Sequence, residues 1–193
     1  MKIILASKSG VRRQILQNNN INFDVVHSNV DEDMAKESFL SEGADPLIIS
    51  KNLAELKANK VSTKVSDQLV LGADSVIDLE GKIISKPSNR NEALNILKSL
   101  NNKSHYLISS VCISKDGNMI WNYTDKAKLT MKEFSLEELK DYLGKVSDEA
   151  LYAYNVYQIE GIGSSLFSKI EGDKNTIMGL PVQKIKNYLN NYY

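Results

Sequence analysis

The chain has 193 residues, 42% of them hydrophobic, and its 24 Lys and Arg residues balance 24 Asp and Glu. A chain of this length buries about 70% of its unfolded surface and supports a core without staples. Balanced charge excludes a global field for nucleic acid or an anionic membrane, so any anion site must be local. No stretch approaches the ~20 apolar residues of a membrane span, and MKIILASKSG is too short in its apolar run for a signal peptide. The one cysteine, Cys112 in LISSVCIS, has no internal disulfide partner. It reads as a core thiol in a reducing, cytoplasmic setting.

Lys2 to Ala6 predicts a short buried strand, and Ser9 to Asn18 a helix with apolar Val11, Ile15 and Leu16. Ile21 to His27 alternates as a strand does. Asn29-Val-Asp-Glu-Asp33 predicts an acidic loop that continues as polar chain to Asp45. Pro46 opens a long amphipathic helix whose Leu47, Ile49, Leu53, Leu56 and Val61 fall near one side, with Lys57 in its later half. Gln68 to Leu79 is a strong strand that turns through Glu80-Gly81 into KIISKP as a hairpin. Asn89 to Leu100 is helical. His105 to Lys115 and Met119 to Met131 are long strands joined by Asp116-Gly117, a strong hairpin signal. Ser135 to Leu143 is a helix with a capping box at Ser135 and Glu138. VYQIEG is strand-like, a short strand lies near Leu166 to Ile170, and a last helix follows Gly179-Leu-Pro181. Interleaved strands, helices and hairpins predict an α/β class with a mixed sheet, and residues 1–193 show no repeat or linker that would divide them.

The first strand, small-residue turn and helix start make an anion-binding construction. The helix's first N–H groups lack partners and face the turn. There Ser7 and Ser9 supply hydroxyls, Gly10 permits close approach, and Arg12 and Arg13 bring guanidinium forks suited to phosphate. Asp74 interrupts an apolar strand, LVLGADSV. Carboxylates are seldom buried unless paired or metal-bound, so Asp74 is a salt-bridge partner, a catalytic base or a metal ligand. Asp31, Glu32 and Asp33 offer hard oxygen ligands suited to Mg²⁺ shared with a substrate phosphate, or else form a solvated loop. Lys57 and Lys86 are candidate phosphate contacts. Two histidines and one cysteine cannot build a zinc cluster. The nucleophile elbow, P-loop and dinucleotide fingerprint are missing from the sequence. Phosphate, carboxylate and divalent metal together point to metal-assisted hydrolysis of a phosphoanhydride.

Taken in order, LAS-x-S followed by RR, the acidic DE pair, the helical lysine, GADSV, the KP after a hairpin and EGD-x-x-x-x-x-GLP resemble the Maf family of nucleoside triphosphate pyrophosphatases over nearly the whole chain. The resemblance implies an elongated Maf/ITPase-like fold, a mixed twisted sheet with flanking helices and two lobes around a central cleft. It implies a cytoplasmic enzyme, dependent on Mg²⁺ or Mn²⁺, that cleaves a nucleoside triphosphate to the monophosphate and diphosphate. Carried over by position, Asp74 matches the proton acceptor, and Ser7, Ser9 and Arg12, with Arg13 beside them, match the triphosphate loop. Glu32 matches the acidic position on the metal side, with Asp74 as its companion ligand. Lys57 and Lys86 match the lysines of the cleft.

Four departures from the family pattern bear on the substrate base. Members acting on dTTP and UTP usually read S-P-R-R, Thr after the catalytic Asp, and Gln closing K-A-G-x-Y-x-I-Q-G. Here Val11, Ser75 and Glu160 stand at those positions, and Ala153 stands at the Lys. Glu160 is closer to the subgroup that hydrolyses 7-methyl-GTP, since an acid accepts hydrogen bonds from guanine N1–H and N2–H₂. That subgroup usually has an aromatic at Val11 and Gln at Ser75. The expectation is therefore a pyrophosphatase of noncanonical or modified nucleotides, with a 7-methyl-GTP preference as the alternative. The rival from another class is a non-catalytic nucleotide-binding regulator linked to septum formation. The expected partner is the nucleotide, without nucleic acid or membrane, and apolar residues of the two long strands are available for a homodimer.

Overall fold

A computed structural model of the chain describes residues 2–192, apart from the side chains of residues 152–154. The position of Ala153 therefore lies outside the described side chains. In chain order the elements are β1 (Lys2–Leu5), α1 (Gly10–Asn18), β2 (Asn22–Val25), α2 (Glu32–Ser41), α3 (Pro46–Ser62), β3 (Val70–Leu79), β4 (Lys82–Ile84) and α4 (Arg90–Leu100). They continue with β5 (Ser104–Lys115), β6 (Asn118–Met131), α5 (Leu136–Lys145), α6 (Asp148–Tyr154), a 3-10 turn (Ile162–Leu166), β7 (Phe167–Glu171), α7 (Lys174–Ile177) and α8 (Val182–Asn191). The seven-stranded sheet has the order β2-β1-β3-β5-β6-β7, with β4 paired to β3. β1 is parallel to β2 and β3, whereas β4 and β7 pair antiparallel with β3 and β6, so the class is mixed α/β. No helix among the described residues is long and apolar enough to cross a membrane.

The chain divides into two compact units, one of residues 1–76, 108–126 and 173–193 and the other of residues 77–107 and 127–172. In the first, helices cover both faces of the parallel strands β1 and β3, and their near-continuous apolar runs follow from that. Alternate residues serve opposite sides. Ile3, Leu5, Leu71 and Ala73 join Ile15, Leu16, Ile185 and Leu189 of α1 and α8, while Ile4, Ala6 and Val70 join Val61 of α3. Ala54, Ala58 and Cys112 form a third buried cluster, which places the thiol in the core as its sequence context indicated. Burial pushes its pKa up to about 11. Gly72 lets α3 lie directly on β3: a Cβ there would overlap the Ala54 carbonyl oxygen and lie 2.7 Å from the Ala58 nitrogen. The β5–β6 turn places Asp116 and Gly117 at φ 49° and 83°, as a two-residue hairpin turn requires.

In the second unit, α4 packs against α5, and the Ser135–Glu138 capping box is present. Arg90 ties the two helices by donating to the carbonyls of Leu143 and Val146 at 2.9 and 3.0 Å. His105 is fully buried, bonded through Nε2 to the Tyr157 hydroxyl at 2.7 Å.

Three expectations need correction. The polar chain after the acidic loop is a helix, α2, started by Asp31, whose side chain accepts from the Met34 N–H, with Glu32 and Asp33 in the first turn. VYQIEG is not a strand: after Asn155 in the left-handed region at φ 69°, it runs through turns into the 3-10 segment. On α3 the inward line is Ile49, Leu53, Lys57 and Val61, whereas Leu56 is 38% exposed and Leu47 half-buried.

Candidate active site

The first unit brings together residues from α1, α2, α3 and β3. Lys57 lies on the inward line of α3, one turn after Leu53, and reaches the stretch of β3 where apolar residues give way to Asp74 and Ser75. Its ammonium stands 2.8 Å from Asp74 Oδ1 and 2.8 Å from Glu32 Oε2, and it also donates to the Ala73 carbonyl at 3.4 Å. Asp74 is buried, with its backbone carbonyl accepting from Ser50 Oγ at 3.3 Å. Its second carboxylate oxygen, Oδ2, is shielded from solvent and has no protein partner. Glu32, at the start of α2, is half exposed. Partial desolvation opposes its ionisation, but the Lys57 ammonium, helped by Arg12 and Lys36, holds its pKa below the ordinary carboxylate value.

Arg12 anchors the other side of the cluster. Its Nε donates to the Gly179 carbonyl at 3.0 Å, Nη1 to the Ala73 carbonyl at 3.0 Å and Ser7 Oγ at 3.3 Å, and Nη2 to Ser75 Oγ at 3.1 Å. Burial lowers the guanidinium's pKa while Asp74 and Glu32 oppose the shift. Gly179 has φ 95°, and a Cβ there would come within 3.0 Å of Ser75 Oγ, so glycine suits this point on both counts.

The turn before α1 is polarised in one direction. Ser9 Oγ accepts from the Arg12 N–H at 3.3 Å as the helix N-cap, and Ser7 Oγ accepts from the Ser9 N–H at 3.2 Å and from Arg12. Each hydroxyl accepts from the chain and retains its own proton to donate. Arg13 is placed differently. It donates to the Lys8 carbonyl at 2.8 Å and lines a surface groove with Gln17, Asn20 and Phe23, with no described bond to the Asp74 cluster. Val11 is half-buried against the core of this unit.

Lys86 and Glu160 belong to the second unit. Lys86 is exposed just after β4, and Glu160 is exposed in the turn that follows α6. That unit has a cavity of about 230 Å³ lined by Lys145, Ser147, Asn155, Tyr157, Gln158 and Gly163, and Glu160 lies in the chain between lining residues Gln158 and Gly161.

Ser109 and Thr176 are polar residues of the cluster that sequence reasoning missed. Ser109 Oγ lies 2.8 Å from Ser75 Oγ and donates to the Thr176 carbonyl at 2.7 Å. The pair Ser109-Ser110 in the midst of the apolar LISSVCIS was the available signal, of the kind that singled out Asp74.

The arrangement offers a buried carboxylate oxygen without a partner, a second carboxylate half open to solvent, and a turn whose two serine hydroxyls keep their protons to donate. Such a set suits a polyanion with a hard cation and an attacking water. Among the described residues no cluster of three or more His, Cys, Asp or Glu side chains gathers as a self-sufficient metal cage.

Comparison with known proteins agrees in fold and family. The chain is 71% identical to a nucleoside triphosphate pyrophosphatase of Pelagibacter ubique (strain HTCC1062), over 97% of this chain and 96% of that protein. It is 41% identical to a protein of the same name from Caulobacter vibrioides (strain ATCC 19089 / CIP 103742 / CB 15), over 97% and 94%. It is 36% identical to a 7-methyl-GTP pyrophosphatase of Rhizobium johnstonii (strain DSM 114642 / LMG 32736 / 3841), over 94% and 91%. Among solved structures, a HAM1 protein from Coxiella burnetii superposes with a TM-score of 0.53 at 11% identity, covering 98% of each chain, which shows a shared fold. The model of the Maf-like protein family matches residues 2–192, and the chain belongs to that family.

Proposed function

We propose that this protein is a nucleoside triphosphate pyrophosphatase, cleaving between the α and β phosphates to release a nucleoside monophosphate and diphosphate. The observation that carries the reading is the buried, unpartnered Asp74 Oδ2 beside an ammonium that offsets the charge on Oδ1. An acceptor held this way is placed to take the proton of a water attacking the α-phosphoryl group. The reaction needs no covalent intermediate, and the chain's task is positioning and charge compensation. Ser7 and Ser9 donate their free hydroxyl protons to the polyphosphate. Arg12 spends four of about five guanidinium N–H donors on the protein and keeps one for the polyphosphate, so it shapes the loop and contacts the substrate.

The donor set fits a divalent cation such as Mg²⁺ or Mn²⁺, which Glu32 and the Asp74 carboxylate would hold together with substrate oxygens. When bound, such a cation would offset phosphate charge and polarise the phosphoryl oxygens. Lys57 offsets the charge of both carboxylates. Lys86, in the second unit, is assigned to substrate phosphate by its place in the family pattern.

The substrates are noncanonical or modified nucleotides. A preference for 7-methyl-GTP is the second reading, and it rests on Glu160, an exposed carboxylate in the turn flanked by cavity-lining residues, which matches the N1–H and N2–H₂ donors of guanine. A panel of canonical, methylated and deaminated nucleoside triphosphates with Mg²⁺ or Mn²⁺ tests both readings. Diphosphate release from at least one member supports the function. Binding across the panel without diphosphate release favours a non-catalytic nucleotide-binding regulator.

A further inference from the structure

We propose that Ser109 is a positioning residue of this site, fixing the Arg12 guanidinium through Ser75. The proposal deepens, and rests on, the pyrophosphatase reading of the Asp74 cluster. Ser109 sits on β5 with no exposure to solvent, flanked by Ile108, Ser110 and Val111, which are equally withdrawn. A hydroxyl there must be bonded on both sides or carry a desolvation cost.

Proton counting gives the network one polarity. Ser109 Oγ donates to the Thr176 carbonyl at 2.7 Å, and a hydroxyl has a single proton. At its 2.8 Å contact with Ser75 Oγ, Ser109 must therefore accept. That commits the Ser75 proton, and leaves the Ser75 oxygen as acceptor for Arg12 Nη2 at 3.1 Å. The competing route, from Ser75 Oγ to the Gly179 carbonyl, is 3.5 Å long, and that carbonyl already accepts from Arg12 Nε at 3.0 Å. The chain thus runs from Arg12 to Ser75 to Ser109 to Thr176, each member polarising the next.

The far end is itself anchored. The Thr176 N–H donates to Asp173 Oδ1 at 3.0 Å, and Thr176 Oγ1 donates to Asp125 Oδ2 at 2.7 Å. Without the Ser109 hydroxyl, the Ser75 proton turns to the Gly179 carbonyl and competes there with Arg12 Nε. The guanidinium then loses the acceptor geometry that aims its spare N–H at the polyphosphate.

The test compares wild type, Ser109→Ala and Ser109→Thr in steady-state kinetics with an accepted nucleotide, and in NMR of the Arg12 Nε–H. Ser109→Ala is expected to raise KM about tenfold, the loss of one oriented charge-assisted hydrogen bond, with kcat within about threefold. The Arg12 Nε–H should exchange with water about tenfold faster. Ser109→Thr, which keeps the hydroxyl, should restore both to within about twofold of wild type. Unchanged KM and exchange in Ser109→Ala, or a Ser109→Thr variant as impaired as Ser109→Ala, overturns the proposal. So does a fall in kcat and melting temperature at constant KM, the mark of a purely structural serine. If Ser109→Ala does not fold, Ser75→Ala reads the same relay: a matching KM rise supports it and an unchanged KM overturns it. Failure of the wild-type protein to release diphosphate from any nucleotide overturns the pyrophosphatase reading, and the exchange measurement still decides the role of Ser109.

Discussion

Lys57 Nζ lies 2.8 Å from Asp74 Oδ1, with the two side chains only 5% and 8% exposed, and the same ammonium reaches Glu32 Oε2 at 2.8 Å. One cation stands between two carboxylates at the edge of a core. It also leaves Asp74 Oδ2 without a partner, aligned for work that no residue of the protein does.

Asp74→Asn keeps the shape of the side chain and removes the proton acceptor. Turnover should fall about 10²- to 10⁴-fold, the usual range for loss of a general base. Equilibrium binding of a non-hydrolysable triphosphate, measured without divalent cation so that the proposed ligand role of Asp74 does not enter, should stay within about threefold, because the phosphate donors of the Ser7–Arg12 segment are untouched.

Lys57→Met leaves the Asp74 carboxylate buried without its counter-charge. Urea unfolding should show a loss of about 3–5 kcal/mol. Adding Asp74→Asn removes the orphaned charge, so the double variant should recover much of that stability, and a double-mutant cycle should return a coupling well above additivity. Purely additive losses would show that the pair contributes through packing alone.

Gly72→Ala puts a methyl group into the backbone of α3 at Ala54 and Ala58. The helix must move away from β3 and carry Lys57 with it. Thermal unfolding should show a loss of about 3 kcal/mol or more, and activity should fall beyond what the unfolded fraction explains.

Much of the fold was legible because local signals agreed with tertiary demands. Asp45 caps α3 and accepts from the Ile48 N–H at 2.8 Å, directly before the Pro46 that marks the helix start. The Asp116-Gly117 pair forced the hairpin. α2 was not legible, because it buries no residue and so carries no apolar periodicity; its information is confined to the Asp31 cap and the acidic first turn. VYQIEG misled because Val156 and Tyr157, adjacent in sequence, are both buried, which a turn allows and an alternating strand does not. Within the site, Asp74 announced itself by interrupting an apolar strand. The bracket around Arg12 did not, since backbone carbonyls of Ala73 and Gly179 accept from it and carbonyls leave no trace in side-chain identity.

His105 supplies a pH dependence independent of the site. Burial lowers its pKa from 6.5 to about 4, with Nε2 on Tyr157 and Nδ1 unpartnered. Between those values the unfolded chain binds a proton that the folded chain refuses. Stability is therefore full above pH ~6.5 and declines as pH falls towards 4, by at most about 3 kcal/mol from this residue. His105→Gln, which does not titrate, should flatten that part of the curve in urea unfolding measured between pH 4 and 7. Equal slopes for both proteins would assign the acid sensitivity elsewhere.

The most direct test of the proposed chemistry is the identity of the products, read by ³¹P NMR while the wild-type protein turns over an accepted nucleoside triphosphate with Mg²⁺ or Mn²⁺. The expected result is nucleoside monophosphate and diphosphate in equal amounts, with neither formed by Asp74→Asn on the same timescale. Nucleoside diphosphate with orthophosphate, or undiminished product from Asp74→Asn, would contradict it.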